Sequence, residues 1–286
     1  MNKKNDFSQK MHSYLRHPAS LIMMILVKLA ALITFTVLIF LIVYILVHGV
    51  PYLKPSLFSL YYNSENASLM PALINTVIMT LLSLLLAVPI GIFSAIFLAE
   101  YAGKGNKFVD IIRLTTETLS GIPSIVYGLF GMLFFVSTCH WGFSLLAGAF
   151  TLAIMILPLI MRTTEEALLS VPDSYREGSF GLGAGKLRTV FYIVLPSAVP
   201  GILAGVILAI GRIVGETAAL IYTAGSVAQV PSSVLGSGRT LAVHMYLLAS
   251  EGLYMDQAYA TAVILLVLVV VINTLSGIVA KRLTKA

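Results

Sequence analysis

The side chains with the most chemical content in this sequence are Arg212 and Glu216, four residues apart in an apolar run from Gly201 to Leu220. An arginine at the centre of a bilayer span costs about 2.5–3.5 kcal/mol on insertion scales. At 1.5 Å per residue, Arg212 stands roughly 22 Å along a span that starts at Ser197, too deep to snorkel easily. Glu216, at i+4, is expected to neutralise it. One reading is a pair that only locks helices together. Buried ion pairs stabilise poorly compared with apolar packing, which favours a second reading. In that reading the planar guanidinium meets an anionic solute through bidentate donors, and Glu216 holds Arg212 while the path is empty. At helical spacing Gly201, Gly205, Leu208, Arg212, Gly215, Glu216 and Ala219 share a face expected to pack on protein or line a cavity. Leu203, Val206, Ile207, Ile210, Val214 and Ile221 share the face expected to meet lipid.

Other chemistries are poorly served. A single cysteine, Cys139, excludes an internal disulfide framework and any multi-cysteine metal site. The five histidines fall at no metal-ligand spacing, and the apolar runs hold no H-E-x-x-H, paired aspartates or Ser-His pair for hydrolysis. The stretch from Gly181 to Lys186 resembles a phosphate-binding loop only faintly. Phe180 occupies the first glycine position of that motif and Leu187 its Ser/Thr position. The chain is therefore expected to hydrolyse no nucleotide, to need no cofactor and to act as no enzyme, its energy coming from another polypeptide.

These residues need membrane helices to place them. Of 286 residues, 58% are hydrophobic and 10% charged, against about 25% charged in soluble proteins. A span takes roughly 20 apolar residues. That length predicts an all-α polytopic membrane protein with six transmembrane helices, at residues 29–47, 72–99, 121–137, 143–161, 197–221 and 258–280. The apolar stretch 20–27 either lengthens the first span or lies in the interface. No cleavable signal peptide is expected, since the first apolar run follows a polar tail and no small-residue cleavage site comes after it. Fifteen of the eighteen Lys and Arg fall in segments on one side of these spans. The positive-inside rule then puts both termini and the 162–196 loop in the cytoplasm. The net charge of +6 thus calls for a lipid bilayer and no nucleic acid.

The 162–196 loop reads as helix, break, helix. Glu165 and Glu166 suit a helix start, Val171-Pro172 ends that helix, and Asp173 or Ser174 can cap a second short helix. Gly181, Gly183 and Gly185 interrupt it before a new run begins at Lys186. A short helix with a small-residue surface at a loop tip suits insertion into a partner's groove; a solvated connector is the plainer alternative.

Glu177-Gly178-Ser179, Gly183 and Ile193-x-Leu195-Pro196 resemble the EAA motif of ABC importer permeases, with matching spacing. Gly178 and Ser179 replace the usual alanines, and glycine weakens a helix by roughly 1 kcal/mol relative to alanine. The resemblance implies a type I ABC importer (MetI-like) fold. It also implies a coupling role toward an ATPase for Glu177, Gly178, Ser179, Gly183, Ile193, Leu195 and Pro196. Gly211-Arg-Ile-Val-Gly-Glu-Thr-Ala-Ala-Leu220 and Ser120-Gly-Ile-Pro-Ser-Ile-Val-Tyr-Gly128 are similar to stretches of the phosphate permeases of Pst systems. Thr240-Leu-Ala-Val-His-Met-Tyr246 points among these to the PstA type.

What this resemblance implies is a permease subunit that moves inorganic phosphate across the bacterial inner membrane, with Arg212 and Glu216 on the substrate path. Another oxyanion (phosphonate, sulfate or molybdate) is the alternative cargo. A secondary transporter would need no ATPase-docking loop. The implied partners are two copies of an ATP-binding subunit, a PstC-type permease forming a heterodimer, and an extracytoplasmic phosphate-binding protein. Segments 50–71 and 223–257 are the candidates for meeting the binding protein. The expected division is a cytoplasmic tail (1–27), a first span with its outer loop (28–70), a permease core (71–280) holding the 162–196 loop, and a short cytoplasmic tail (281–286). Asn66-Ala-Ser68 matches a glycosylation sequon by chance.

Overall fold

A computed structural model describes residues 18–102, 105 and 107–285. Residues 1–17 and Lys104, used above in the charge argument, lie outside the described residues. Helix α1 (Pro18–Gly49) takes in the 20–27 stretch, so that stretch lengthens the first span. Two short 3-10 turns follow, then α2 (Met70–Ile96), widened at its end by a π-helical turn over Phe97–Tyr101. Helix α3 (Lys107–Ser120) precedes α4 (Ser124–Gly131), which continues as a wide turn over Met132–Thr138. Next come α5 (Leu145–Leu169), α6 (Asp173–Gly181) and α7 (Lys186–Thr189), the last running through a wide turn into α8 (Leu195–Val214). Helices α9 (Ala218–Ile221), α10 (Leu241–Glu251) and α11 (Met255–Lys285) complete the chain. No strand occurs among the described residues.

Five helical stretches are long and apolar enough to cross a membrane, and α3 with α4 makes a sixth if that bent pair is one span. The pair corrects the straight third span expected at 121–137: α3 and α4 meet at 101°. Gly121, Ile122 and Pro123 form the corner, where proline disfavours helix in the residue before it and lacks an N–H of its own. The fifth span is also displaced from 197–221. It starts at Lys186, inside the polar loop, and stops at Val214, where Gly215 closes it with an N–H bond to the Gly211 carbonyl (3.3 Å).

The core lies where α2, α5 and α8 meet: Met79, Leu152, Ile156, Ile160, Ala209 and Ile213 are all buried there. Small residues let the helices approach. A Cβ on Gly201 would stand 2.6 Å from Ala167 Cβ, and Gly205 packs against Thr163. Hydroxyls buried in α2 are satisfied within the helix: Thr76 donates to the Ala72 carbonyl (2.7 Å), and Ser83 to that of Met79 (2.8 Å). The buried face of α8 is Ile202, Gly205, Ala209, Ile213 and Val214, whereas Leu208 is 60% exposed. This rotates the expected faces, placing Val214 inward and Leu208 outward.

Helix α1 stands apart, exposed over nearly its whole length. It packs on α11 near its C-terminal end, where the Tyr44 and Tyr259 hydroxyls are 3.5 Å apart and Gly49 packs on the Tyr259 backbone. At the far end of α4, Trp141 lies between Phe135 and Phe150, with ring centroids 5.3 and 5.2 Å away. Such aromatic groups suit the membrane–water boundary.

Candidate functional site

Arg212 lies in the last turn of α8, where a cation suits the free carbonyl end of the helix dipole. The helix then breaks at Gly215, so Arg212 and Glu216 do not share one continuous helical face. Glu216, 9% exposed, accepts the Ala219 N–H through Oε1 at 3.1 Å and caps the start of α9. Among the described residues no carboxylate lies within 4.0 Å of the Arg212 guanidinium. The expected neutralising pair is therefore absent, because the end of α8 turns the glutamate toward the next helix. Arg212 is half-buried and borders a strip with little cover from its own chain: Ala204, Leu208, Gly211 and Gly215. A Cβ on Gly211 would meet nothing within 4 Å.

The broken third span supports this region from the other side. Tyr127 of α4, buried and near enough to feel the Arg212 charge, donates to the Leu119 carbonyl across the corner (2.8 Å). Gly128 packs directly on α9; its Cβ would lie 2.8 Å from Ala219 Cα. Beyond Glu216, Thr217, Ile221 and Tyr222 join Ile125, Tyr246 and Tyr259 in a largely apolar open cleft of about 620 Å³. The arrangement is a solitary cation at a helix end, beside two short helices that begin within the bundle. Chemically, it can bind an anion with guanidinium donors that no protein acid occupies.

The loop between α5 and α8 forms the second site. The expected break falls at Pro172 and the expected restart at Lys186, with α6 between them. Two details differ. Glu165 and Glu166 lie in the last turns of α5, which runs unbroken to Leu169, and not at a helix start; and neither Asp173 nor Ser174 caps α6, because Pro172 is its N-cap and Asp173 already sits in the first turn. Glu177 and Gly178 are exposed, and a Cβ on Gly178 would meet nothing within 4 Å. Ser179 Oγ pairs with Thr189 Oγ1 at 2.8 Å, fastening α6 to α7. Gly183 turns the chain with φ +82°, a conformation that favours glycine. Ile193 lies in the wide turn before α8, Leu195 opens α8, and Pro196 occupies its first turn. Leu182 is 91% exposed and Leu187 66%. Leu182 and Tyr175 line a groove of about 460 Å³ and Leu187 and Tyr192 line a second one that shares Arg188 with it, an apolar surface of the kind that marks a protein interface.

Two residues mattered more than their sequence positions indicated. Arg176, counted above only as a positive charge, binds Glu100 across 76 residues of chain, with Nη2 to Oε1 at 2.6 Å. Nothing local in the sequence signals that pairing. Arg239, one of the three Lys and Arg that fall outside the cytoplasmic fifteen, is only 6% exposed, with its guanidinium 4.6 Å over the Tyr62 ring. Beside it, His244 of α10 is fully buried, in a segment too short to span a membrane. Burial, then the Arg239 charge, lowers its pKa to about 3, against a weaker opposing pull from the Ala67 backbone. Asn66 is fully engaged by its own loop, donating to the Tyr61 carbonyl at 2.8 Å and accepting from the Asn63 and Ser68 amides.

Comparison with known proteins agrees with this architecture. Residues 87–285 match the family described as the binding-protein-dependent transport system inner membrane component. The chain is 34% identical over 278 residues to the probable ABC transporter permease protein YqgI of Bacillus subtilis, covering 90% of this chain and 94% of that one. Over 178 residues it is 39% identical to the phosphate transport system permease protein PstA of Haemophilus influenzae. That alignment covers 62% of each chain, so this chain spans somewhat less than two thirds of that relative. In fold it is similar to a chain of the MetNI methionine ABC transporter in an inward-facing conformation. That match has TM-score 0.62 at 22% identity and covers 76% of this chain and 96% of the other. This chain belongs to the binding-protein-dependent transport system inner-membrane component family: it is a multi-pass, non-catalytic permease subunit with the MetI-like fold, of the class that works with an ATPase and a substrate-binding protein.

Proposed function

We propose that this chain is the PstA-type permease of an ATP-driven importer and moves inorganic phosphate through a pathway that includes Arg212. The observation that carries this reading is the half-buried Arg212 guanidinium, which no acid among the described residues neutralises. A cation held in such a place needs a counter-charge, and an oxyanion supplies one with matching bidentate geometry. The phosphate permeases among the relatives support phosphate over phosphonate, sulfate or molybdate. Glu216 acts on the same path by fixing the start of α9 beside Arg212. A phosphate with up to two negative charges needs more donors than one arginine, and the second permease, of PstC type, contributes them across a heterodimer interface.

In this reading both termini and the 162–196 loop face the cytoplasm, as the distribution of Lys and Arg supports. Residues 71–280 are the permease core. Helix α6 and its flanks, from Glu177, Gly178 and Ser179 through Gly183 to Ile193, Leu195 and Pro196, dock on one of two ATPase copies. Segments 50–71 and 223–257 receive the phosphate-binding protein. The test is uptake of radiolabelled phosphate by the assembled complex carrying Arg212→Ala. Loss of uptake with intact assembly is expected; normal uptake would remove Arg212 from the path, and competition by unlabelled sulfate or molybdate would change the cargo.

A further inference from the structure

The Arg176 guanidinium uses every donor it has. Nη2 donates to Glu100 Oε1 (2.6 Å) and to the Leu168 carbonyl (2.9 Å); Nη1 donates to the Val171 carbonyl (2.7 Å) and to Asp173 Oδ1 (3.1 Å). Nε donates to Glu100 Oε1 (3.2 Å) and lies 3.4 Å from Oε2. These acceptors belong to three different elements. Glu100 lies in the widened last turn of α2, Leu168 is in the last turn of α5 with Val171 just beyond it, and Asp173 is in the first turn of α6. The pair is well shielded, with side-chain exposures of 15% for Arg176 and 8% for Glu100. Its charge-assisted bonds are screened little by solvent. They also hold the Arg176 pKa above the usual arginine range, the Glu100 hydrogen bond contributing most.

We propose that Arg176 and Glu100 form the joint through which α6 moves α2 and α5 together, an inference that rests on reading α6 as the ATPase-docking helix. Arg176 and Glu177 are adjacent, yet they serve opposite sides: Glu177 is exposed, while Arg176 is bonded inward to the chain's own helices. A push on α6 thus reaches the ends of two long helices through one rigid, planar group. Lysine would keep the charge but could not hold the carbonyls of Leu168 and Val171 and a carboxylate of α2 in one plane. Lys186 Nζ, 5.0 Å over the Tyr101 ring, ties the start of α7 to the same end of α2. Arg176 and Glu100 are positioning residues, since neither lies on the strip around Arg212.

The test uses the complete complex in proteoliposomes, with phosphate uptake and ATP hydrolysis measured together. The isosteric Glu100→Gln should leave ATPase co-purification and basal hydrolysis unchanged. Phosphate moved per ATP hydrolysed should fall about tenfold, the scale of one lost charge-assisted hydrogen bond. Arg176→Lys should lower the same ratio. An unchanged ratio in both variants would overturn the proposal, as would uptake and hydrolysis falling in parallel, the mark of a merely structural bond. A wild-type complex that hydrolyses ATP without moving phosphate would sink the transport reading and this inference with it.

Discussion

Glu216 Oε1 accepts the Ala219 N–H at 3.1 Å, and Arg212, four residues earlier, is left without an acid partner among the described residues. Two residues that a helical wheel pairs are separated by the helix end at Gly215, and each takes its own task. The glutamate holds backbone, and the arginine stays available to a solute.

These tasks predict different responses to substitution. Glu216→Gln keeps an oxygen to accept the Ala219 N–H and should retain most phosphate uptake. Glu216→Ala loses the cap, worth about 1 kcal/mol, and should lower uptake several-fold. Arg212→Lys keeps the charge without the bidentate fork and should lose more than about tenfold. Uptake assays at matched complex levels check all three, and equal loss in Glu216→Gln and Arg212→Ala would contradict the separation of roles.

At the α6 loop two glycines should behave in opposite ways. Gly178 is helical with open space around it, so Gly178→Ala should stabilise α6 by about 1 kcal/mol and leave ATPase co-purification intact. Gly183 has the same open space, but its φ of +82° is one that side chains rarely adopt. Gly183→Val should cost about 1–2 kcal/mol, because a side chain crowds the backbone in the left-handed region, and should reduce ATPase co-purification.

Two glycines of α8 also diverge. Gly205 packs against Thr163, so Gly205→Leu should overpack the α5 contact and cost about 1–3 kcal/mol, lowering the melting temperature in detergent. Gly211 has open space, so Gly211→Ala should leave that temperature within error.

His244 gives the protein an acid sensitivity of definite sign. Its pKa falls from 6.5 in the unfolded chain to about 3 in the fold. The unfolded state therefore binds the proton first as pH drops. The stability contribution is complete above about 6.5 and declines progressively toward 3. Thermal melting from pH 7 to pH 4 should show a shallower decline in His244→Gln than in wild type. Identical slopes would mean that the imidazole is not held neutral.

Much of this fold is legible in sequence because lipid leaves helices few options. Runs of apolar residues mark the spans, and Pro172 and Gly185 bracket α6 where turn chemistry says they must. Which apolar face points inward was not legible on α8. Leu208 and Val214 are equally compatible with lipid and core, so hydropathy cannot distinguish an exposed leucine from a buried valine. The corner at Gly121 and Pro123 left a local signal, while its angle depends on packing against α9. The bond between Arg176 and Glu100 had no local signal, since the residues meet only through tertiary structure.

Among the described residues, helix α1 is exposed along most of its length and packs on α11 near its C-terminal end. A substitution along that exposed length disturbs few neighbours within this chain and should change its own stability by no more than about 0.5 kcal/mol. Any constraint on that face therefore comes from lipid or from a partner subunit, and not from the chain's own core.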